Sequence, residues 1–293
     1  MNGVIVVDKS PGWTSHDVVA KVRNLARIKK VGHLGTLDPA ATGVLPLVVG
    51  RATRLAKYYL TSEKKYDALI HFGWATDSYD GDGEVDGEKS EPQLDPLRIA
   101  ELLEGFRGPI EQTPPPVSAK KIGGVPAYKL AREKRPVNLK PVRVEVYSIE
   151  MTGCSGAELR LTIHCSSGTY VRSIAHDLGR AYGCGAFLKA LRRVQSGEFS
   201  ESQAATISQL EELAHSDRLV EALIPAARML PEMQSQYVDK LTEGQIRQGR
   251  DFRGSPFRPG EPARLVKAIS EDGELVAIGE MRLPNVYHPT IVL

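Results

Sequence analysis

The sequence predicts an α+β fold followed by a smaller C-terminal β domain. Alternating apolar residues predict strands over residues 65–73 and 142–146. An apolar stripe that starts at Asp95-Pro96 predicts an amphipathic helix. Beyond Pro231, a hairpin and a last strand predict a small β-barrel. A chain of 293 residues is long enough for one large domain and one small domain.

The composition is typical of a soluble globular protein, with 41% hydrophobic and 25% charged residues. No apolar run is long enough to span a membrane, and MNGVIVVDKS lacks a signal-peptide pattern, so we expect a cytoplasmic protein. Cys154, Cys165 and Cys184 form no C-x-x-C pair, which argues against a disulfide framework and against a zinc site.

The net charge of +2 conceals two oppositely charged regions. Residues 76–91 contain seven acids and one lysine, whereas residues 115–145 contain eight bases and two acids. The acidic run fails as an EF-hand, because Val85 occupies the position of the obligatory glycine. The basic run suits a polyanionic partner, although such a run is also commonly a solvated face.

The N-terminal residues predict a strand and then a helix. Residues 3–7 are an apolar strand candidate that ends at Pro11-Gly12. Thr14 has the position of a helix cap, and Val18, Val22 and Leu25 would form the buried stripe of that helix.

The next stretch, VGHLGTLDPAATGVLP over residues 31–46, holds a single carboxylate, Asp38. Glycines on both sides permit close approach or positive φ, and Pro39 fixes φ, so we expect Asp38 on a stiff, tightly turned backbone. One interpretation is a cap on a helix that begins at Pro39. The loop is too apolar for a plain solvated turn, which favours a functional carboxylate. It lacks the Gly-Lys-Ser/Thr ending of a phosphate loop.

Two further segments combine structural and functional interpretations. Tyr66 opens the strand over 65–73 and shares a face with apolar residues, which alone favours packing. In CSSGTYVRSIAHDLG, a helix with the stripe Val171, Ile174 and Leu178 leaves Arg172 off its apolar face. An exposed arginine near a helix start is disfavoured by the dipole, so an acid should compensate it.

The C-terminal third is predicted to be helical from Ile207 to Leu230. A short helix over 242–248, a hairpin over 264–282 and a strand over 286–293 follow.

GHLGTLDPAATGVLPLVVG resembles the catalytic motif of the TruB family of tRNA pseudouridine synthases. Four more segments resemble family motifs: VDKSPGWTSHDVV, SEKKYDA, SGTYVRSIAHDLG and GCGAFLKALRRVQSGEF. The resemblance implies a pseudouridine synthase fold over residues 1–230, with a mixed, mostly antiparallel central sheet flanked by helices and loops. It also implies an RNA-binding thumb inserted at about 107–145. Residues 231–293 are more loosely similar to a PUA RNA-binding domain; a plain stabilising β appendage is the alternative.

The resemblance implies a stand-alone enzyme that isomerises the T-loop uridine of tRNA, position 55, by base flipping and without cofactor or metal. It implies catalytic roles for Asp38, Tyr66 and Arg172, with Arg172 paired to Asp38. Whether Asp38 attacks C1′, attacks C6 or removes a ribose proton stays open. The residues implied to bind substrate or RNA are Lys9, His33, Lys64, Asp77, Lys120, Lys121, Tyr170 and Leu191. The expected partner is the tRNA T stem-loop, bound by a monomer with no obligatory protein partner.

Three alternatives remain at this point. An RNA-binding or tRNA-chaperone protein without chemistry would explain the basic run but not the organised Asp38 loop. A guide-dependent synthase of the same superfamily would work within a ribonucleoprotein, whereas the segment SAKKIGGVPAYKLAR is similar to the stand-alone form. A carboxylate-dependent glycosidase would need a second acid in a comparable setting.

Overall fold

The computed structural model describes residues 1–118, 120–122, 124–127, 133, 139–254 and 263–293. The side chains of residues 121, 122, 125 and 126 fall outside that description. The predicted α+β architecture is confirmed, with a central sheet, flanking helices and a C-terminal β unit. None of the helices in the described ranges is long and apolar enough to cross a membrane.

The helices are α1 (Ser15–Ala26), α2 (Pro96–Glu104), α3 (Val171–Tyr182), α4 (Ile207–His215) and α5 (Lys240–Arg247). The strands up to the middle of the chain are β1 (Gly3–Lys9), β2 (Val31–His33), β3 (Thr42–Val49), β4 (Lys64–Phe72), β5 (Ala75–Thr76), β6 (Val85–Asp86), β7 (Gly108–Gln112), β8 (Lys121–Ile122) and β9 (Val125–Pro126). The remaining strands are β10 (Val142–Ser155), β11 (Glu158–Cys165), β12 (Ala186–Ser196), β13 (Phe199–Ser200), β14 (Leu223–Pro225), β15 (Gln234–Val238), β16 (Phe252–Arg253), β17 (Leu265–Ser270), β18 (Leu275–Leu283) and β19 (Val286–Val292).

Within the described residues, ten strands form the central sheet, whose main path is β14-β1-β3-β12-β4-β11-β10-β7. The β3–β12 pairing is parallel, and the other pairings of this sheet are antiparallel. The mixed, mostly antiparallel sheet implied by the resemblance is therefore present. It brings β4 and β12 together beside β3, which is the strand that follows the Asp38 loop.

The side chains of strand β1 show that the central sheet is covered on both faces. Ile5 and Val7 face one core, which also contains apolar residues of α1, α2, α3 and α4. Val4 and Val6 face a second core, shared with residues of the C-terminal sheet. Because successive side chains of a strand point to opposite faces, the continuous apolar run GVIVV is typical of a strand buried on both sides.

The C-terminal β unit is a curled half-barrel sheet in the order β15-β17-β18-β19-β16. The predicted hairpin is present as β17 and β18, and the predicted last strand is β19. Lys267 of β17 is buried, and its ammonium group donates hydrogen bonds to the carbonyls of Ala227 (3.1 Å) and Met229 (2.9 Å). These bonds tie the half-barrel to the segment that precedes it. The division of the chain at 230/231 stays a prediction.

One helix expectation and one alternative helix interpretation are wrong. The helix predicted over residues 207–230 ends at His215, where Asp217 adopts positive φ and the chain continues through 3₁₀ turns into β14. Pro225 cannot extend a helix, and β14 instead pairs with β1. Pro39 does not begin a helix either, since the Asp38 carbonyl accepts one turn bond from the Ala41 N–H (3.1 Å) before β3.

We predict that Lys267→Ala lowers the free energy of unfolding by about 1–3 kcal/mol, because two buried carbonyls lose their donor. Equilibrium urea unfolding measures this change. The matched control is Lys240→Ala, which removes an exposed lysine of the same domain and should stay within about 0.5 kcal/mol of wild type. Equal losses in the two variants would contradict this assignment.

Candidate active site

A cavity of about 460 Å³ opens beside the Asp38 loop. Its wall is built from the loop, the start of β4, the turn before α3 and the inner part of β12. Seven of the residues proposed from the sequence line it: His33, Asp38, Lys64, Tyr66, Tyr170, Arg172 and Leu191. The fold therefore brings together residues that are far apart in the chain.

The backbone on both sides of Asp38 is fixed by hydrogen bonds. The Ser15 hydroxyl donates to the Leu37 carbonyl (3.0 Å) and accepts from the Leu37 N–H (2.9 Å). The Lys9 ammonium donates to the Pro39 carbonyl (3.0 Å). The residue therefore has the stiff setting that its flanking glycines and proline predict.

Gly43 permits the close approach of β3 to β12 that places the loop. It adopts a φ of +96°, and a Cβ there would lie 2.3 Å from the Arg193 carbonyl oxygen. A larger residue would separate the strands and displace the loop from β12.

Arg172 lies between two carboxylates. Its Nε is 3.0 Å from Oδ2 of Asp38, and its Nη1 is 3.2 Å from Oδ2 of Asp80 and also donates to the Ser78 carbonyl (3.2 Å). The Arg172 side chain is 6% exposed, whereas that of Asp38 is 45% exposed. The expected contact with Asp38 is present, but the guanidinium is buried rather than exposed at the helix start. Asp38 is thus oriented from the protein side and accessible from the cavity.

Burial, and not the ion pair with Arg172, has the largest effect on the pKa of Asp38. Burial raises the pKa of the Asp38 carboxyl, and the Asp80 and Asp82 carboxylates add to that rise. The Arg172 guanidinium and the Lys9 ammonium oppose it without cancelling it. The pKa of Asp38 therefore lies above its ordinary value because desolvation outweighs the two cations.

Arg193 is the buried residue that sequence reasoning missed at this site. Its guanidinium donates to the carbonyls of Val44 (2.7 Å), Gly35 (3.0 Å) and Thr36 (3.4 Å), and it hydrogen-bonds the Tyr66 hydroxyl. It thereby holds the loop before Asp38 against β3 and β4. In the sequence Arg192 and Arg193 are adjacent, and no local pattern shows which of them is buried. Only the strand period assigns one arginine to each face.

Tyr66 lines the cavity as a buried phenol. Burial raises the pKa of its hydroxyl, and the neighbouring Arg193 opposes that shift. The phenol is therefore the resting form at neutral pH, so a role for Tyr66 as general base would begin from the protonated state.

Lys9 and Lys64 are both buried. Lys9 is fully buried, and its ammonium also donates to the carbonyls of Ser10 (3.1 Å) and Trp13 (2.8 Å); burial lowers its pKa to about 8. This corrects the expected RNA contact, since all three carbonyl bonds of Lys9 hold loops. Lys64 lines the cavity, donates to the Ser62 carbonyl, and has its pKa lowered by burial to about 8.

His33 and Tyr170 both line the cavity. Nδ1 of His33 accepts a hydrogen bond from the Gly35 N–H (3.4 Å), and burial lowers the pKa of the ring. The neutral ring therefore carries its proton on Nε2. Tyr170 caps α3, and its backbone N–H and carbonyl both bond the Gln112 side-chain amide. Leu191 completes the apolar wall.

Asp77 does not reach the cavity. Its carboxylate accepts a hydrogen bond from the Glu84 N–H (2.9 Å) and stabilises the β5–β6 turn. Asp80, three residues later, is the acid of this loop that contacts Arg172. A substrate or RNA contact by Asp77 stays a prediction, and the sequence, which contains several acids here, does not specify which of them contacts Arg172.

The predicted thumb is only partly described. Lys120 is exposed, and its carbonyl accepts a hydrogen bond from the Ala127 N–H (2.7 Å). The backbone of Lys121 belongs to β8, while its side chain lies outside the described residues, as does Tyr128. In the part of the chain that is described, no group of three His, Cys, Asp or Glu side chains is arranged to hold a metal ion.

The fold is that of the pseudouridine synthases. Similar solved structures include the "Cbf5-Nop10-Gar1 Complex", with a TM-score of 0.70 and 27% identity, covering 97% of this chain and 79% of the other. A second is "H/ACA RNP bound to a substrate RNA containing 2'-deoxyuridine", with a TM-score of 0.72 and 25% identity, covering 99% and 85%.

The chain belongs to the TruB family of pseudouridylate synthases, which are isomerases. The family's N-terminal domain matches residues 23–171, and the "tRNA pseudouridylate synthase B C-terminal domain" matches residues 172–231. A relative from Solibacter usitatus, named tRNA pseudouridine synthase B, is 57% identical over 293 residues, which is 100% of both chains. An Aquifex aeolicus protein of the same name is 39% identical over 294 residues, covering 96% of each chain.

We predict that Arg193→Lys lowers the free energy of unfolding by about 1.5–3 kcal/mol, because a single ammonium nitrogen cannot reach the three carbonyls that the guanidinium bonds through three separate nitrogens. Equilibrium urea unfolding tests this. The control is the neighbouring Arg192→Lys, which alters a half-exposed ion pair with Asp8 and should cost less than about 1 kcal/mol. A loss at position 192 as large as that at position 193 would contradict the proposed loop-holding role.

Proposed function

We propose that the protein isomerises the T-loop uridine at position 55 of tRNA to pseudouridine, acting alone and without metal or cofactor. The names of its full-length relatives support tRNA as the substrate class. The observation that carries the catalytic assignment is the Asp38 carboxylate, exposed to the cavity on one side and bound by buried Arg172 on the other.

The reaction breaks the N-glycosidic bond, turns the uracil and joins C5 to C1′. No atom is gained or lost overall, because the proton that leaves C5 is balanced by one gained at the released ring nitrogen. An ionised Asp38 can act as nucleophile at C1′ or C6, or as base on the ribose. All three routes need the same charged and oriented carboxylate. Arg172 supplies the orientation, and Asp80 holds Arg172 from its other side.

The uridine must leave the folded RNA loop before it can react. A cavity of about 460 Å³ suits a flipped nucleotide, with Tyr66 and Leu191 in its wall. His33 lies at the cavity and is kept neutral by burial, so its ring suits the vacated position in the base stack. We assign it to stacking rather than to a phosphate contact.

The RNA outside the cavity would meet the basic thumb, which includes Lys120 and Lys121. A contact from the C-terminal half-barrel to RNA stays a prediction. So do the monomeric state, the absence of an obligatory protein partner and the cytoplasmic location.

Two other functions make different predictions. An RNA-binding or chaperone protein would not need a carboxylate ion-paired beside a cavity. A guide-dependent synthase is suggested by the ribonucleoprotein structures, but those chains are 25–27% identical to this one, whereas a full-length relative named for tRNA is 57% identical. The relatives therefore favour the stand-alone enzyme.

The deciding experiment incubates the purified protein alone with an unmodified tRNA transcript and maps pseudouridine along it. Modification confined to the T-loop uridine would support the proposal. Tight binding without modification would favour the binding protein or the guide-dependent enzyme. Modification at another uridine would overturn the assignment of position 55 as the target.

We predict that Asp38→Asn abolishes turnover and leaves tRNA affinity within about threefold of wild type. The amide preserves shape but cannot supply the negative charge that every route requires. Single-turnover pseudouridine release and filter binding measure the two quantities. A variant that retained more than about a hundredth of the wild-type rate would contradict the catalytic role.

We also predict that activity falls in acid at a pH above the ordinary aspartate pKa of about 3.9. Lowering the pH through the raised pKa of Asp38 protonates the catalytic carboxylate, so activity is present above that pKa and lost below it. Asp80→Asn removes a negative neighbour of Asp38. It should therefore shift the acid side of the pH profile, here called the acid limb, to lower pH. The pH profile of kcat/KM tests the shift, and the control Asp77→Asn should leave the limb in place.

A further inference from the structure

Tyr79 has a backbone conformation that is uncommon for a tyrosine. Its φ is +66°, in the left-handed region that favours glycine. It lies between Ser78, whose carbonyl accepts from Arg172, and Asp80, whose carboxylate pairs with Arg172. The conformation of this one residue therefore sets the direction of both groups that contact Arg172 from this loop.

The Tyr79 ring stacks on His176. The ring centroids are 3.8 Å apart, and the planes are inclined by 15°. His176 follows Arg172 by four residues in α3, so both side chains project from the same face of the helix, one turn apart. The loop thus contacts one helix face twice, through the stack and through the Arg172 bonds.

Hydrogen bonds hold the loop backbone against β12. The Leu188 N–H donates to the Tyr79 carbonyl (3.0 Å), and the Gly81 N–H donates to the Leu188 carbonyl (3.2 Å). The Thr76 hydroxyl donates to the Asp80 carbonyl (2.7 Å). These bonds place the loop along the strand, but the ring stack is the contact that attaches Tyr79 itself to α3.

The imidazole of His176 contacts the loop as a neutral aromatic ring and not as a cation. Burial lowers its pKa; the Asp177 and Asp86 carboxylates oppose that shift, and Arg180 adds to it. Nδ1 of His176 has no hydrogen-bond partner among the described residues. A neutral ring without that bond is fixed here by stacking.

We propose that the Tyr79–His176 stack is a positioning device that directs Ser78 and Asp80 onto Arg172 and so fixes Arg172 against Asp38. This inference depends on the proposed catalytic role of Asp38. Tyr79 and His176 are positioning residues, because they act through Arg172 and do not line the cavity.

The test compares Tyr79→Gly with Tyr79→Phe. Glycine accepts positive φ without strain, so the first variant removes the ring and leaves the backbone conformation available. We expect kcat to fall roughly three- to tenfold, the scale of one aromatic pair, with KM nearly unchanged. The acid limb of kcat/KM should shift, because Asp80 and Arg172, which act on the pKa of Asp38 with opposite signs, both lose their fixed positions. Tyr79→Phe should behave as wild type.

The partner ring gives a second pair of variants. His176→Ala should reproduce the effect of Tyr79→Gly, and His176→Phe should restore activity, since a ring face is what the stack requires. Tyr182→Ala is the matched control, because Tyr182 lies on the same helix but contacts Phe72 and the Asp95 N–H. It should leave the acid limb in place even if it lowers stability.

A double variant decides whether the stack acts through Asp80. If it does, Tyr79→Gly added to Asp80→Asn should reduce kcat little beyond Asp80→Asn alone. The inference is overturned if the losses of kcat in the two single variants multiply in the double variant. It is also overturned if the acid limb stays in place in Tyr79→Gly. If the wild-type protein forms no pseudouridine, or Asp38→Asn stays active, the proposed function fails instead. The two failures are therefore distinguishable.

Discussion

The buried guanidinium of Arg172 is the constraint on which the site depends. A cation at the first turn of a helix is opposed by the helix dipole, and burial adds a desolvation cost. Asp38, Asp80 and the Ser78 carbonyl compensate for both, so the loop, the acidic turn and α3 must meet at one point. Removing one of these partners would leave the buried guanidinium less fully compensated, which explains why three distant segments are held so closely.

Two more buried cations, Lys9 and Arg193, fix the backbone of the same loop. Lys9 holds the carbonyl after Asp38, and Arg193 holds the two carbonyls at Gly35 and Thr36. Backbone carbonyls rather than carboxylates are their main partners, so their positive charge is left to act on the cavity. Even so, burial raises the pKa of Asp38. The loop is therefore rigid, and on the pKa of its carboxylate the nearby cations oppose burial without cancelling it.

The two-sided central sheet is what supports this arrangement. Helices cover one face of β1 and β3, and the C-terminal half-barrel covers the other. Strands packed on both faces cannot shift register without exposing an apolar surface. The parallel contact between β3 and β12 then fixes the distance from the Asp38 loop to Leu191 and Arg193. The half-barrel thus stabilises the central sheet whether or not it also contacts RNA.

The sequence by itself determined the α+β class, most strand positions and the Asp38 loop, because alternating apolar residues, glycines and Pro39 act locally. It also determined Asp38, Tyr66 and Arg172 as candidates, through motifs that lie within short segments. Only the tertiary structure decided that Asp80 rather than Asp77 reaches Arg172, that Lys9 is buried, and that Arg193 rather than Arg192 faces inward. Each of these choices depends on which side of a turn or strand meets another segment, and residues distant in sequence make that choice.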